Sequence, residues 1–238
     1  MIANAADKLE NVHLETVTVP HWVRGEEALY LVEPRSAQLA ILGLGNSVGT
    51  GGKNLTGSVL IVNNKTELSQ YAAQNMTQGK IIAFNEYCNW TAMPVACYGI
   101  AVDYRVNGAN YAQAVGGIAA LVRSVTPFSV YSPHTGMMSY NDNNTAIPTA
   151  SITVEDAEMF RRMQDRGQPI VVSLFMSAQQ LTPVPSGGLS FALLLLLVGL
   201  FVLVSVNVVA EWKGSTYPDE VVIVSGHLDS WDVGQGAM

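Results

Sequence analysis

The chain has 238 residues, a net charge of −7, and 13 % charged against 49 % apolar side chains. This composition excludes a disordered chain, which combines low hydrophobicity with high net charge, and it offers no basic footprint for nucleic acid. The length suits one or two domains. No charged residue occurs from Gly167 to Ala210, and the apolar run that begins at Leu189 within this window has the length of a membrane span.

Short strands alternate with short helices along the chain, as β-branched runs, turn residues and cap residues indicate. The predicted strands are 12–19, 28–33, 39–42, 58–62, 80–84, 118–122, 147–152, 169–176, 205–212 and an apolar run from 221 that ends in polar residues. The first two are expected to pair as a hairpin. Predicted helices cover 66–75 with a Thr66 cap, 107–115, and the segment from the Thr153 cap to about Arg166. This alternation predicts a compact α/β module over about 36–178.

Glycines after the 39–42 strand, at 43, 45 and 49, faintly resemble a dinucleotide-binding loop. That chemistry needs a helix to open at the loop. Further glycines at 51, 52 and 57 argue against such a helix, so we predict a plain surface loop and no nucleotide cofactor.

The asparagines and cysteines bear on the cellular compartment. Asn-x-Ser/Thr acceptor sites occur at Asn54, Asn64, Asn75, Asn89 and Asn143. They predict a glycosylated lumenal or secreted domain, the alternative being an Asn-rich surface that never meets the glycosylation machinery. Cys88 and Cys97 are compatible with a small disulfide loop or with two buried thiols, and both interpretations stay open. The segment MIANAADKLE lacks the features of a signal peptide and reads as the end of a helix, so we expect that natural synthesis starts further upstream.

One motif carries candidate metal chemistry. His227 lies two residues before Asp229, directly after the apolar run VVIVSG. Residues i and i+2 of a strand point to the same side, so an imidazole and a carboxylate can meet as a metal ligand and its orienting partner. His13, with Glu15 two residues on, is expected to lie on a solvated strand face. His21 and His134 are expected to be structural.

The segment PDEVVIVSGHLDSWDVGQGAM closely resembles the metal-binding strand and loop of the zinc exopeptidases of the aminopeptidase and glutamate-carboxypeptidase type. The blocks LENVHLETVTVPHWVRGEE, LAILGLGNSVGT, SVYSPHTG and IPTASITVEDAEMFRRM narrow the resemblance to a glutamate carboxypeptidase within that family. The resemblance implies two zinc ions on a mixed sheet, hydrolysis of small peptides, and a homodimer that is secreted or lysosomal. It also implies His227 as a zinc ligand and Asp229 as a catalytic-site residue that supports it.

The resemblance further implies a domain organisation. Residues 1–35 would begin the peptidase domain, 36–178 would form an inserted protease-associated-like domain, 179–204 a linker, and 205–238 peptidase strands with the zinc-ligand motif. Only edge portions of the mixed-sheet peptidase domain would then be present. The acidic metal-bridging pair that follows GQGAM in the family is not in this sequence, so we expect an internal fragment that is inactive alone, because a catalytic zinc needs about three protein ligands.

Two alternatives remain open: a non-catalytic protease-associated binding or lid module, and a single-span membrane glycoprotein. The apolar stretch at about 183–204 is the part that departs from the family pattern. A span there would place the glycosylated module and the His227 strand on opposite sides of a bilayer. We therefore interpret it as an insertion of sequence that does not belong to the family, and we expect no membrane partner.

Overall fold

A computed structural model describes residues 9–141, 145–185 and 206–227. Its strands are β1 Glu10–Thr16, β2 Thr18–Val23, β3 Glu27–Glu33, β4 Ala37–Leu39, β5 Ile41–Gly43, β6 Leu55–Val62, β7 Ile81–Phe84, β8 Ala119–Arg123, β9 Thr149–Ile152, β10 Val171–Met176, β11 Gln179–Pro185 and β12 Val206–Glu211. Its helices are α1 Lys65–Ala73, α2 Pro94–Ala114 and α3 Val154–Asp165. The predicted mixed α/β class is confirmed.

The described residues fall into two compact units. The central unit is Trp22–Gln180, and the split unit combines the described residues before Trp22 with those after Gln180. The central unit therefore begins well before the predicted boundary at residue 36, because β3 is hydrogen-bonded into its sheet. The predicted linker also begins as a strand, β11, which pairs with β2. Most of the apolar stretch 183–204 lies outside the described residues.

The central unit contains an eight-stranded mixed sheet in the order β4-β3-β10-β6-β7-β8-β9-β5. The four strands from β6 to β9 are parallel, and the other pairings in the sheet are antiparallel. Ala40 alone separates β4 from β5, which stand at opposite ends of this order. Because consecutive Cα atoms are about 3.8 Å apart, the two ends of the sheet must approach each other, and the sheet curls into a barrel-like form.

Both faces of the parallel strands are buried. Along β7, Ile81 and Ala83 belong to the core cluster that includes Phe160 of α3. Ile82 and Phe84 belong to the cluster that includes Tyr104, Ala109 and Ala112 of α2. This alternation is the period of two expected for a strand covered on both sides.

The helices begin where local hydrogen bonds satisfy their first amides. In α3, Thr153 Oγ1 accepts from Asp156 N at 2.9 Å, as predicted. In α1 the cap is Asn64, whose Oδ1 accepts from Glu67 N at 2.9 Å, so the predicted Thr66 cap is wrong. The helix begins at Lys65, directly after Asn64, so Thr66 is already its second residue.

Two further predictions differ from the structure. Strand 28–33 does not pair with the strand before it; β3 lies between β4 and β10. The reason is that β10 offers an apolar face, including Val172 and Leu174, that β3 covers in the core. Helix α2 begins at Pro94 rather than near Asn107. Its close packing through small residues is as predicted, since a Cβ at Gly108 would lie 3.3 Å from the Phe84 ring.

Candidate metal-ligand segment and polar sheet edge

The predicted metal-ligand motif follows β12 in the split unit. β12 pairs antiparallel with β1, with Leu14 opposite Val208. A turn then forms, in which Glu220 N donates to Tyr217 O at 3.1 Å. From there the chain continues through 221–227, outside any strand or helix, to His227.

The apolar run before His227 is not a buried strand, so that prediction is wrong for this structure. Val221, Val222, Ile223 and Val224 are each between 83 % and 93 % exposed. A strand needs a neighbour for its backbone groups, and in the described part of the split unit none pairs with this run. Its apolar side chains consequently remain at the surface.

Of the two predicted metal-site residues, the structure describes only His227. His227 is exposed, and Asp229 lies outside the described residues. Across 9–141, 145–185 and 206–227, no group of three or more His, Cys, Asp or Glu side chains is arranged to hold a metal ion. The described residues therefore do not fit a complete zinc site, which takes three or four protein ligands.

His13 has local partners. Its Nδ1 lies 2.7 Å from Asn11 O and its Nε2 lies 3.4 Å from Glu15 Oε1. The backbone contact to Asn11, and next the Glu15 carboxylate, raise the pKa of His13 despite some desolvation. A zinc ligand must be a neutral imidazole, so this environment disfavours metal binding at His13.

His134 lies in the central unit, on the loop between β8 and β9. Its backbone N donates to Ser124 Oγ at 2.8 Å. Burial, and then the nearby Arg105 cation, lower the pKa of the His134 imidazole. The loop is fastened to α2 because Arg105 Nη1 donates to Thr135 O at 3.4 Å. His134 is part of a packed loop, which agrees with the structural role expected for it.

A polar network at the carboxyl edge of β7 and β8 was not anticipated from the sequence. Arg123, 8 % exposed, donates from Nη1 to Asn85 Oδ1 at 2.9 Å and forms an ion pair with Glu158. Asn85 Nδ2 in turn donates to Asn63 Oδ1 at 3.4 Å. The detectable signal was a polar residue directly after β6 and after β7 and another at the last position of β8, at the edge where α/β sheets usually bind ligands. Here these groups form hydrogen bonds and an ion pair with one another, and the ion pair of Arg123 with Glu158 connects α3 to the sheet.

Asp156, in the first turn of α3, is 4 % exposed, and its Oδ2 accepts no hydrogen bond within the described residues. Burial raises the pKa of its carboxyl group, since the charged form loses water. The neighbouring Glu155 behaves oppositely: hydrogen bonds, first from Ser129 and then from Tyr131 N, lower its pKa. Two adjacent carboxylates thus contribute to stability with opposite dependence on pH.

Asp156→Asn is expected to stabilise the chain by about 1 kcal/mol at pH 7 and to lose this advantage near pH 3.5. Because the folded pKa of Asp156 is raised, the unfolded state ionises first, and the wild-type free energy of unfolding falls as pH rises from about 4 through the folded pKa. Urea unfolding at several pH values measures the effect. Glu155→Gln is the matched control and should destabilise at pH 7 but not at low pH. Parallel pH profiles for the two variants would contradict the assignment.

Cys88 and Cys97 form a disulfide, with Cα atoms 5.5 Å apart. This pairing selects the first of the two interpretations left open by the sequence.

Asn54, Asn64, Asn75 and Asn89 are all exposed, and Asn143 lies outside the described residues. In the part of the chain that the structure describes, no helix combines the length and apolarity needed to cross a bilayer.

Comparison with known proteins first defines a class. The sequence profile of Peptidase family M28 matches residues 207–238, which contain the His227 motif. The crystal structure of a Peptidase M28 precursor from Shewanella amazonensis SB2B is similar with a TM-score of 0.76 and 30 % identity, over 95 % of this chain and 46 % of that one. An aminopeptidase from Aneurinibacillus sp. strain AM-1 shares the fold, with a TM-score of 0.52 and 12 % identity over 74 % of this chain and 36 % of that one. The chain is therefore similar to the M28 peptidases.

Within that class the similarity is specific. The chain is 48 % identical to carboxypeptidase Q of Mus musculus over 232 residues, and 49 % and 47 % identical to those of Xenopus laevis and Homo sapiens. The alignments include 98 % of this chain and 43 to 44 % of those proteins. The predicted resemblance is confirmed, and the chain spans less than half the length of the curated relatives it matches.

Proposed function

We propose that the chain contributes to a zinc-dependent exopeptidase that hydrolyses small peptides, with the central unit as its protease-associated domain and His227 as one zinc ligand. The observation that carries the proposal is the 48 % identity to carboxypeptidase Q over 98 % of the chain. Asp229 would orient the His227 imidazole. The remaining ligands would lie in sequence corresponding to the other part of the relatives, and two such protomers would form the homodimer.

The local chemistry supports His227 over the other histidines. His227 lies within the segment that matches the M28 profile, whereas His13 and His134 do not. His13 is held toward its protonated form by Asn11 and Glu15, and His134 belongs to a packed loop. His227 is exposed, on a segment without strand or helix.

Zinc titration followed by the NMR signals of the four histidine rings tests the assignment. We expect the His227 signal to shift at lower zinc concentration than the His13 signal, because the raised pKa of His13 favours the protonated ring that cannot bind zinc. Histidine-to-glutamine variants assign the signals. Asp229→Asn should move the His227 response to several-fold higher zinc, and Glu15→Gln is the matched control that should not. A first response at His13, or no response at His227, would contradict the assignment.

Peptide hydrolysis is measured on the same samples. The 238-residue chain with zinc should not hydrolyse dipeptides above background, because the described residues supply no complete zinc site. Clear turnover that is lost in His227→Gln would show that a complete site exists in this chain. It would refute the proposal that further ligands are needed.

The proposed cellular setting is the secretory route, leading to secretion or to the lysosome. The Cys88–Cys97 disulfide supports an oxidising compartment, where such bonds persist. The acceptor asparagines described by the structure all reach the surface, as an attached glycan requires.

A further inference from the structure

The first two turns of α2 differ from the rest of the helix in how they are packed. Of residues 94–100, all of which the structure describes, only Cys97 is buried. Val95 is 86 % exposed and Ile100 is 48 % exposed. From Ala101 onward the helix has a buried side that packs on the sheet. We call residues 94–100 the leading segment of α2.

The leading segment has little intrinsic tendency to remain helical. In the described stretch around it, Met93 at the N-cap position makes no side-chain hydrogen bond to the first amides, and the first turn holds no acidic residue. Gly99 costs about 1 kcal/mol relative to alanine, and the β-branched Val95 and Ile100 add smaller costs. Two turns of helix are too short to be stable alone in water. The segment therefore needs an attachment outside itself.

The disulfide provides that attachment. It joins Cys97 to Cys88, which lies on the loop that follows β7. Within the described residues, the other side chain of the segment with a polar contact is Tyr98, whose hydroxyl accepts from Arg105 Nη2 at 2.9 Å. Arg105 belongs to α2 as well, so this contact runs along the helix. The bond to Cys88 is thus the link between the leading segment and the β7 loop.

The two halves of the disulfide differ in their access to a reductant. Cys88 is partly exposed, whereas Cys97 is 0 % exposed. A thiolate of a dithiol reductant is therefore expected to attack the Cys88 sulfur, forming a mixed disulfide and releasing Cys97, which takes up a proton. The second thiol of the reductant then displaces Cys88. Two electrons and two protons pass to the cysteines, and the reductant becomes a disulfide.

We propose that the Cys88–Cys97 bond is a redox latch, whose reduction by a dithiol releases the leading segment from the helix while the rest of the central unit stays folded. In the reduced chain, α2 begins near Ala101, where its buried side begins. The released segment and the loop before it then become open to hydrogen exchange and to proteolysis. The latch does not involve His227, so it stands or falls independently of the proposed zinc site.

Hydrogen–deuterium exchange of the 238-residue wild-type chain, with and without dithiothreitol, tests the latch. Alkylation of free thiols and mass measurement establish that reduction is complete. We expect the amides of 94–100 to exchange about tenfold faster after reduction, and those of 104–114 to change by less than about twofold. Reoxidation should restore the slow exchange.

Three results would refute the latch. The first is unchanged exchange at 94–100 in the fully reduced chain. The second is an equal rise across 104–114 and β7, because the bond would then hold the whole unit together and not one segment. The third is resistance of the bond to dithiothreitol while the chain is folded.

Supplying the missing helix cap separates the latch from any general effect of the reductant. Met93→Asp places a carboxylate at the N-cap, where it can accept from the first amides and lies at the positive end of the helix. It should reduce the effect of dithiothreitol on 94–100 several-fold. Met93→Ala is the matched control and should leave that effect unchanged. Equal exchange of 94–100 in the two reduced variants would contradict the proposal, because the stability of the leading segment would then not control its release.

Discussion

Replacing Phe160 by alanine is expected to reduce the free energy of unfolding by about 3–5 kcal/mol, the range for removing a fully buried aromatic ring. Phe160 lies in the middle of α3, is 0 % exposed, and belongs to the cluster that joins α3 to the sheet. Both the transfer free energy of the ring and the contacts around the vacated space are lost. Urea unfolding followed by far-UV circular dichroism measures the change.

Arg162→Ala provides the matched control, because Arg162 is two residues further along the same helix and is exposed. It should change the free energy of unfolding by no more than about 0.5 kcal/mol. Comparable losses in the two variants would mean that α3 does not pack on the sheet through Phe160.

Removing the disulfide with the double variant Cys88→Ala and Cys97→Ala is expected to destabilise the chain by about 2–4 kcal/mol, because the unfolded chain regains the freedom of the closed loop. Alanine avoids placing a hydroxyl at position 97, where Cys97 is 0 % exposed. Thermal unfolding with and without a reducing agent measures the effect.

Reducing agent serves as the internal control. It should lower the melting temperature of the wild-type chain toward that of the double variant and leave the double variant unchanged. Equal melting temperatures for wild type and variant under oxidising conditions would show that this bond is absent in solution or contributes nothing to stability.

The sequence predicted those strands and helix ends of the central unit that depend on residues close together in the chain. The runs at β7, β8 and β10 are apolar, short and bounded by turns, and Thr153 stands where a cap is required. The start of α2 was missed because exposed apolar side chains, such as Val95 and Ile100, obscure the buried stripe of Cys97, Ala101 and Tyr104 in the sequence. The partner of β3 could not be predicted, since it depends on β10, which is more than a hundred residues away.

The candidate site was predictable only as a motif. The spacing of His227 and Asp229 and the segment around them identified a family, but ligand assembly depends on groups far apart in sequence. The same limit applies to Arg123, whose role follows from three separate elements meeting at one edge. Cys88 and Cys97 could be assigned as a disulfide only from the structure, which shows how close the loop brings them.

The antiparallel pairing of β3 with β10 also determines where the chain enters and leaves the central unit. Glu27 lies opposite Met176, and Ser177 N donates to Glu26 O at 2.9 Å. The two ends of this unit are therefore neighbours, which is the arrangement that permits transplantation of a domain into a host loop. A gene segment encoding it could be spliced into an unrelated protein, or its ends fused and new ones opened elsewhere, without altering the barrel-like sheet.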